Sequence, residues 1–295
     1  MDARDVVEEL ENDQWSGPFE ADVCRRAVAA LEAGRVVSFP KLPFALTPAE
    51  TRFLTDGALD QSRKNISFDP ATGRCHGSGY EGEKLAALTK MLDRFGRQAE
   101  TLVRGLLPAY APALERSRTS FRPAEISGRV STPRHDDKRL HVDAFPTRPM
   151  RGRRILRLFT NIAPDGVLRQ WRVGEPFSDF AAQFLPRIRP MLPGQALAMQ
   201  ALRLTKGRRS RYDHLMLGLH DAGKLDVGYQ EKAPRVALAF PPGTTWMCFT
   251  DAVLHAALAG RCALEQTFYL PVEAMAEPAR SPLRVLERLA GRALV

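Results

Sequence analysis

The chain has 295 residues, 44% of them hydrophobic, which is enough for one sizeable core, and no apolar run reaches the roughly 18 residues of a membrane-spanning helix. Its 43 lysines and arginines exceed the 34 aspartates and glutamates, and the net charge of +9 favours an anionic partner. The basic runs carry few aromatic residues and match no nucleic-acid-binding motif, so we expect no nucleic acid partner.

The first residues, MDARDVVEELENDQW, are acidic and lack the apolar core of a signal peptide. The cysteines are scattered without a C-x-x-C pair, so they indicate reduced thiols and not a disulfide framework or a zinc site: Cys24, Cys75, Cys248 and Cys262. Together these features predict a location in the reducing cytoplasm.

Residues 1–118 are expected to be the helical part of the fold. Residues 20–34 have the spacing of an amphipathic helix, and RVVSFPKLPF follows as a strand. The polar, glycine-rich stretch 60–81 shows no periodicity and is expected to form loops. Residues 83–114 have strong helical periodicity, so we expect them to form a helix that buttresses a sheet.

Short β-branched and aromatic runs dominate residues 119–272, with one helical insert expected near 177–190. The tail, 273–295, contains the amphipathic pattern SPLRVLERLAGRALV. This pattern predicts a helix that packs on the core or touches a membrane surface. The predicted fold is a single, mainly β domain with a double-stranded β-helix (jelly-roll, cupin-like) core and helical additions.

The stretch RLHVDAFP places a histidine and a carboxylate two residues apart. In an extended strand, His141 and Asp143 point to one face, while Leu140 and Val142 point to the other. A histidine beside a carboxylate supplies two ligands of the 2-His-1-carboxylate triad, which binds Fe(II) and leaves coordination positions open. Short H-x-D matches also occur by chance, so the metal interpretation requires a second histidine on another strand.

His255 has the sequence context that this requires. The stretch FPPGTTWMCFTDAVLH predicts a Pro-Gly turn, a strand over 244–250, a short loop and then the histidine. LEQTFYLPV, at 264–272, predicts the next strand. A histidine that enters a strand in this way is typical of the distal iron ligand in a jelly-roll oxygenase. We therefore predict an Fe(II) site made by His141, Asp143 and His255.

The other histidines are weaker candidates. His76 and His135 lie in segments that are expected to be loops. His214 and His220 flank LMLGL and fit either core or cleft positions, and of the two we favour His214 as a functional residue.

Several longer stretches resemble the family of hydroxylases that act on 3-deoxy-D-manno-oct-2-ulosonic acid (Kdo): HVDAFPTRPMRGRRILRLFTNI, WRVGEPF, TKGRRSRYDHLMLGLHD, FPPGTTWMCFTDAVLHAAL and LEQTFYLPV. The resemblance implies an Fe(II)-dependent dioxygenase with 2-oxoglutarate and O₂ as cosubstrates. It also implies hydroxylation of the 3-position of Kdo on a lipid A precursor, giving Ko, at the cytoplasmic face of the inner membrane. This reaction modifies the inner core of lipopolysaccharide.

The resemblance further implies a buried cation for the far carboxylate of 2-oxoglutarate. Many relatives carry an arginine on the strand after the distal histidine, but this sequence has Gln266 near that position. Arg157 is the first candidate, because it lies in an apolar strand and a buried arginine needs an anion. Arg154 and Arg261 follow, and a structural ion pair is the alternative for Arg157.

The arginine-rich segments are candidates for contact with the Kdo carboxylate or a lipid phosphate. The predicted substrate-binding residues are Arg148, Arg208, Arg209, Arg211, Tyr212 and His214. For each of them a solvated basic loop is the alternative.

Two other functions fit the same residues. A 2-oxoglutarate oxygenase with another anionic target would use the same triad. A metal-free jelly-roll module could bind an anionic sugar, but it would not bind the one Fe(II) per chain that the triad predicts.

Overall fold

The computed structural model describes residues 2–60, 62–164 and 166–295. Its strands are β1 (Val7–Glu9), β2 (Val36–Phe39), β3 (Ile66–Asp69), β4 (Arg74–His76), β5 (Glu115–Arg122), β6 (Arg154–Asn161), β7 (Arg169–Gly174), β8 (Arg235–Phe240), β9 (Thr245–Phe249), β10 (His255–Ala259) and β11 (Ala263–Leu270). Its α-helices are α1 (Ala3–Val6), α2 (Ala21–Glu32), α3 (Gly82–Leu106), α4 (Phe177–Phe184), α5 (Gln195–Ala201), α6 (Arg211–Leu225), α7 (Val227–Lys232) and α8 (Pro282–Ala290).

The strands form two facing sheets. The wide sheet has the order β1-β2-β9-β6-β11-β5-β3-β4, and the small sheet has the order β10-β7-β8. Phe159 and Trp246 on the wide sheet contact Trp171 and Phe240 on the small one, and the rings of Phe240 and Trp246 stack with centroids 4.1 Å apart. These aromatic rings fill one end of the space between the sheets, as the predicted jelly-roll core requires.

The outer face of the wide sheet is covered by helices. Leu156 and Leu158 on β6 and Phe249 on β9 belong to the same buried apolar cluster as Phe95 and Leu102 on α3. Since both faces of β6 are covered, this strand is buried along almost its whole length. The helical buttress predicted from residues 83–114 is therefore present as α3.

Gly96 lies where α3 crosses the wide sheet. A Cβ atom at this position would meet Arg116 Nη2 and would lie 2.6 Å from Thr119 Oγ1 and 2.7 Å from Gln266 Oε1. We expect Gly96→Ala to lower the free energy of unfolding by about 1–3 kcal/mol, because the helix and sheet must move apart. Urea denaturation measures the change. A gain in stability, as alanine gives in an open helix, would contradict this close packing.

Several predicted elements are confirmed, namely α2, β2, α3, α4, β9, β11 and α8. Residues 60–81 differ from the prediction, because β3 and β4 form a hairpin there that places His76 in a strand. Residues 1–118 therefore contribute four strands to the wide sheet and are not wholly helical. The segment 195–232 also differs, since it forms α5, α6 and α7 where short strands were expected.

The C-terminal helix α8 packs on the core. Leu283 and Leu286 are buried, and Leu294 beyond the helix is 2% exposed. The alternative, in which the apolar side of this helix touches a membrane, is therefore not supported. In the described ranges, no helix combines the length and apolarity that crossing a bilayer requires.

Candidate metal centre and cavity

Backbone hydrogen bonds bring the three predicted metal ligands together. His141 and His255 each donate an N–H to the other's carbonyl oxygen, at 3.1 and 2.9 Å, and Asp143 donates its N–H to the Thr250 carbonyl at 2.8 Å. Residues around His141 form only this isolated bridge and not the full strand that was predicted. The segment is still held straight enough for the side chains of His141 and Asp143 to meet His255, and the candidate ligand atoms of all three lie within 4.8 Å of one another.

Each imidazole is fixed in one tautomer. Nδ1 of His141 lies 2.8 Å from the Arg139 carbonyl oxygen, and Nδ1 of His255 lies 2.8 Å from the Val253 carbonyl oxygen. A carbonyl can only accept, so both Nδ1 atoms carry the proton and both Nε2 atoms keep a lone pair for a metal. His141 Nε2 is 4.0 Å from Asp143 Oδ1. The arrangement presents two neutral nitrogen donors and one oxygen donor to the same point.

The protonation states suit metal binding. Burial, followed by the charge of His255, lowers the pKa of His141 well below its usual value. Burial is the largest single influence and would raise the pKa of Asp143, but the nearby charges, of which Arg157 is the strongest, together outweigh it and hold that pKa below its usual range. Neutral imidazoles beside an ionised carboxylate, with further coordination positions open, form the donor set of non-haem Fe(II) sites.

Arg157 holds the metal-binding carboxylate in place. Its Nη2 lies 3.1 Å from Asp143 Oδ2, and its Nη1 lies 3.0 Å from Glu265 Oε1. The approach to Asp143 lacks the angle of a hydrogen bond, so Oδ2 remains without a hydrogen-bond partner among the described residues. Arg122 binds the other oxygen of Glu265 at 2.6 Å. Glu265 thus fixes two arginines on the inner face of the wide sheet.

A third arginine faces the same interior from the small sheet. Arg169 is 3% exposed, and its Nη1 donates to the Gly260 carbonyl at 2.9 Å, while its Nε has no hydrogen-bond partner among the described residues. Burial, with the charge of Arg122, lowers the pKa of Arg169 to about 9. Trp171 lies two residues after Arg169 on β7 and on the same face of the strand. Its ring stacks on the ring of His255, with centroids 5.3 Å apart. We call Arg122, Arg157 and Arg169 the interior arginines.

The interior arginines suit an anion held beside the metal. Arg122 and Arg157 form ion pairs with Asp143 and Glu265, whereas Arg169 forms none among the described residues. Buried donors without a hydrogen-bond partner in the described part of the chain remain at Arg157 Nε, Arg169 Nε and Trp171 Nε1. A dicarboxylate such as 2-oxoglutarate would satisfy them.

A basic cavity of about 350 Å³ opens over Arg157. Arg118, Arg122, Ser120, Thr267 and Tyr269 form its floor and walls, and the rim is formed by Phe145, Pro146, Thr147, Arg148 and Lys206. Arg157 lines the cavity and also touches Asp143, so the cavity lies one side chain away from the metal-binding carboxylate. Its lining of arginine and hydroxyl side chains with two aromatic rings fits an acidic sugar.

Two predicted 2-oxoglutarate ligands lie on the wrong face of the wide sheet. Arg154 pairs with Asp251 at 2.7 Å among residues of the outer core, and both side chains are 1% exposed. Gln266 accepts a hydrogen bond from Thr119 at 2.6 Å beneath α3. The prediction is wrong for these two residues, because neither side chain reaches the interior. Arg261 is half-buried in the loop between β10 and β11.

Among the predicted substrate residues, Arg148 lines the cavity and donates to Tyr269 Oη at 3.2 Å. Arg209 is buried and donates a hydrogen bond to the carbonyl of Pro146, a rim residue, so it stabilises the rim without lining the cavity. Tyr212 is buried beneath the segment that carries Asp143, and His214 bonds the Arg189 carbonyl away from the cavity. Arg208 and Arg211 are exposed.

Sequence reasoning missed other residues of this site. His220, and not His214, lies beside the triad, with its ring centroid 5.5 Å from that of His141. Lys206 and Tyr269 line the cavity, and Arg122 and Arg169 complete the interior arginines. The sequence did contain a signal for Arg169. This residue directly precedes QWRV, a segment with aromatic and β-branched residues that indicates a strand.

Comparison with known proteins gives the same assignment. A sequence model described as 3-deoxy-D-manno-oct-2-ulosonic acid (Kdo) hydroxylase matches residues 14–293. The chain is 44% identical to the Kdo hydroxylase KdoO, a non-haem Fe(II) α-ketoglutarate-dependent dioxygenase whose crystal structure contains α-ketoglutarate (2-oxoglutarate) and Fe(III). The match covers 98% of this chain and 97% of that chain, with a TM-score of 0.95.

A second KdoO structure, with cobalt(II), has the same identity, coverage and TM-score, and a third, with succinate and Fe(III), has a TM-score of 0.94. The search of curated protein sequences found no match. The family match and the solved structures span nearly the whole chain, including every residue of the triad and the cavity. The chain therefore belongs to the Kdo hydroxylase family.

Proposed function

We propose that this enzyme hydroxylates the 3-position of Kdo on Kdo-bearing lipid A, giving Ko, with Fe(II), 2-oxoglutarate and O₂. The observation that supports this most directly is the triad of His141, Asp143 and His255, whose carboxylate Arg157 connects to a basic cavity. The substrate would be an anionic glycolipid at the cytoplasmic face of the inner membrane. The protein would therefore work in the cytoplasm, in peripheral contact with that membrane.

The chemistry that bound Fe(II), 2-oxoglutarate and O₂ supply is oxidative decarboxylation to succinate and CO₂, coupled to hydroxylation of a C–H bond. His141, Asp143 and His255 hold the metal, and Arg157 holds Asp143 in the orientation for binding. Trp171 and Phe159 form an apolar wall beside His255 that excludes water from this side.

The substrate sugar would enter through the cavity. Arg148 and Lys206, which line the cavity, offer positive charge to the Kdo carboxylate or a lipid phosphate, and Arg118 lines it as well. Tyr269 and Thr267 offer hydroxyl groups to the sugar hydroxyls. These contacts would place the sugar above Arg157 and next to the metal ligands.

The interior arginines would bind 2-oxoglutarate. Arg157 remains a candidate for its far carboxylate, but this guanidinium is already neutralised by two carboxylates. Arg169 has no ion-pair partner among the described residues. It lies two residues before Trp171 on β7, so the Cα atoms of the two residues are about 7 Å apart. The ring of Trp171 stacks on His255, so a diacid held at the triad by one end would extend past this ring towards Arg169.

We expect Arg169→Met to raise the KM for 2-oxoglutarate by at least roughly tenfold, because a charge-assisted hydrogen bond of about 1.5–3 kcal/mol is lost. Steady-state kinetics and direct titration of 2-oxoglutarate onto the metal-loaded protein measure the effect. Arg172→Met is the matched control, because Arg172 lies on the same strand with its side chain on the opposite face. An unchanged KM in Arg169→Met would exclude this role.

The test of the proposed function is succinate release from 2-oxoglutarate with added Fe(II) and ascorbate, with and without Kdo-bearing lipid A. We expect strong stimulation by the lipid, and a gain of one oxygen atom on the Kdo unit by mass spectrometry. Slow succinate release that the lipid does not change would support the assignment as an oxygenase but contradict Kdo-bearing lipid A as its substrate. Absence of both succinate and bound iron would favour the metal-free binding module.

A further inference from the structure

A cluster of exposed leucines lies in the segment that runs from α4 to α6. Leu192, Leu197, Leu202 and Leu204 are 70%, 64%, 70% and 56% exposed, which makes this the densest group of exposed large apolar side chains in the described part of the chain. We call residues 190–206 the leucine segment. Single exposed leucines need no explanation, but four within thirteen residues require one.

The leucine segment is ordered and not a loose loop. The Leu202 N–H binds the Ala198 carbonyl at 2.9 Å, and the Leu204 N–H binds the Met199 carbonyl at 2.9 Å. Ala196 on the other side of α5 is buried. The fold therefore presents the leucines to the outside while an adjacent alanine faces the protein.

The segment is attached to the rim of the cavity. The Lys206 N–H binds the Thr147 carbonyl at 2.8 Å, and both residues line the cavity. Leu204 and Leu202 are two and four residues from Lys206, so both lie within about 14 Å of the rim. A surface that covers these leucines would lie next to the cavity mouth.

The stretch that contains the segment is basic. No aspartate or glutamate occurs between Asp179 and Asp213. Of its seven basic residues, Arg187 pairs with Asp226 at 2.7 Å and Arg209 is buried. The other five are exposed: Arg189, Arg203, Lys206, Arg208 and Arg211. A membrane-binding surface combines apolar side chains with a basic surround that attracts anionic headgroups.

We propose that the leucine segment docks on an anionic lipid bilayer and holds the cavity mouth at the headgroup level. This inference extends the proposed function, because the sugar of a membrane-embedded glycolipid could then reach the cavity without leaving the bilayer. The C-terminal helix is not the docking surface, since its apolar residues Leu283 and Leu286 are already buried.

Binding to vesicles tests the proposal without turnover. The full-length protein is sedimented with vesicles of phosphatidylglycerol and phosphatidylcholine, and with vesicles of phosphatidylcholine alone. We expect binding to the anionic vesicles that weakens with added salt. Leu202→Gln/Leu204→Gln should bind them roughly tenfold more weakly, because two apolar side chains no longer enter the interface.

The matched control is Leu289→Gln/Val295→Gln, which removes two exposed apolar side chains, 44% and 63% exposed, at the C-terminal end. This variant should bind as the unchanged protein does. Equal binding by the leucine variant, loss of binding in the control alone, or no vesicle binding by the unchanged protein would each overturn the proposal. A change from oligomer to monomer in the leucine variant, with no change in vesicle binding, would instead identify an interface between copies.

Turnover separates this inference from the proposed function. The leucine variant should retain succinate release in the absence of lipid, but it should hydroxylate Kdo-bearing lipid A in vesicles more slowly. If the unchanged protein binds vesicles through the leucines and does not hydroxylate this lipid, the docking surface stands and the substrate assignment fails. If hydroxylation proceeds and the leucines do not affect vesicle binding, the substrate assignment stands and the docking surface fails.

Discussion

His141→Ala is expected to lose both bound iron and lipid-stimulated succinate release. The substitution removes an Nε2 donor that no other described residue replaces within the 4.8 Å group of ligand atoms. Loss of a residue that merely orients a metal ligand costs about 10–100-fold, so loss of the ligand itself should exceed about 100-fold in turnover. Metal analysis of the purified protein and the succinate assay measure the two effects.

His220→Ala is the matched control for this experiment. Its imidazole lies edge-on to His141 but bonds Asp221, at 3.0 Å from Nδ1 to Oδ1, and is not part of the ligand group. We expect this variant to bind about one iron per chain, as the triad predicts. Retention of iron by His141→Ala, or its loss from His220→Ala alone, would contradict the assignment of the triad.

Arg154→Met is expected to give the largest loss of stability among single substitutions near the site. It would leave the carboxylate of Asp251 buried at 1% exposure, with the Ile155 N–H at 3.2 Å as one of its few remaining partners. Breaking a buried ion pair from one side costs about 3–5 kcal/mol, because the remaining charge is uncompensated. The shift of the guanidinium denaturation midpoint measures the free energy of unfolding.

Arg153→Met is the neighbouring control. Arg153 pairs with Glu115 at 2.8 Å, but the side chains are 37% and 60% exposed, so we expect a loss of about 1 kcal/mol or less. Arg154→Met/Asp251→Leu should recover much of the stability that Arg154→Met loses, since it removes the unpaired charge as well. Similar losses in the free energy of unfolding for Arg153→Met and Arg154→Met would contradict the expected cost of leaving Asp251 buried without its partner.

The metal ligands could be predicted because their signals are local. His141 and Asp143 share a face at a spacing of two, and His255 follows a turn and strand that the residues 241–250 define. Which arginines point into the space between the two sheets could not be predicted with the same success. On β6 both faces are buried, so the apolar pattern did not tell which of Arg154 and Arg157 points inwards.

The helices α5, α6 and α7 were missed for another reason. Ser210 and Asp213 form a capping box that begins α6, with the Ser210 side chain accepting from the Asp213 N–H. This signal is present in the sequence, but the arginine run that precedes it is equally typical of a solvated basic loop. The position of His220 beside the triad depends on this helix and was missed with it.

The fixed tautomers of His141 and His255 affect how the protein acquires its metal. Because both rings are oriented by backbone carbonyls, little reorganisation is needed when an ion binds. Such a rigid site does not reject competing first-row ions by its shape, and it would bind several of them in the order of their intrinsic affinities. The ion that occupies the purified protein should therefore depend on both the affinity and the supply of the competing metals. Ferrous iron should restore full occupancy by the active ion once a chelator has removed them.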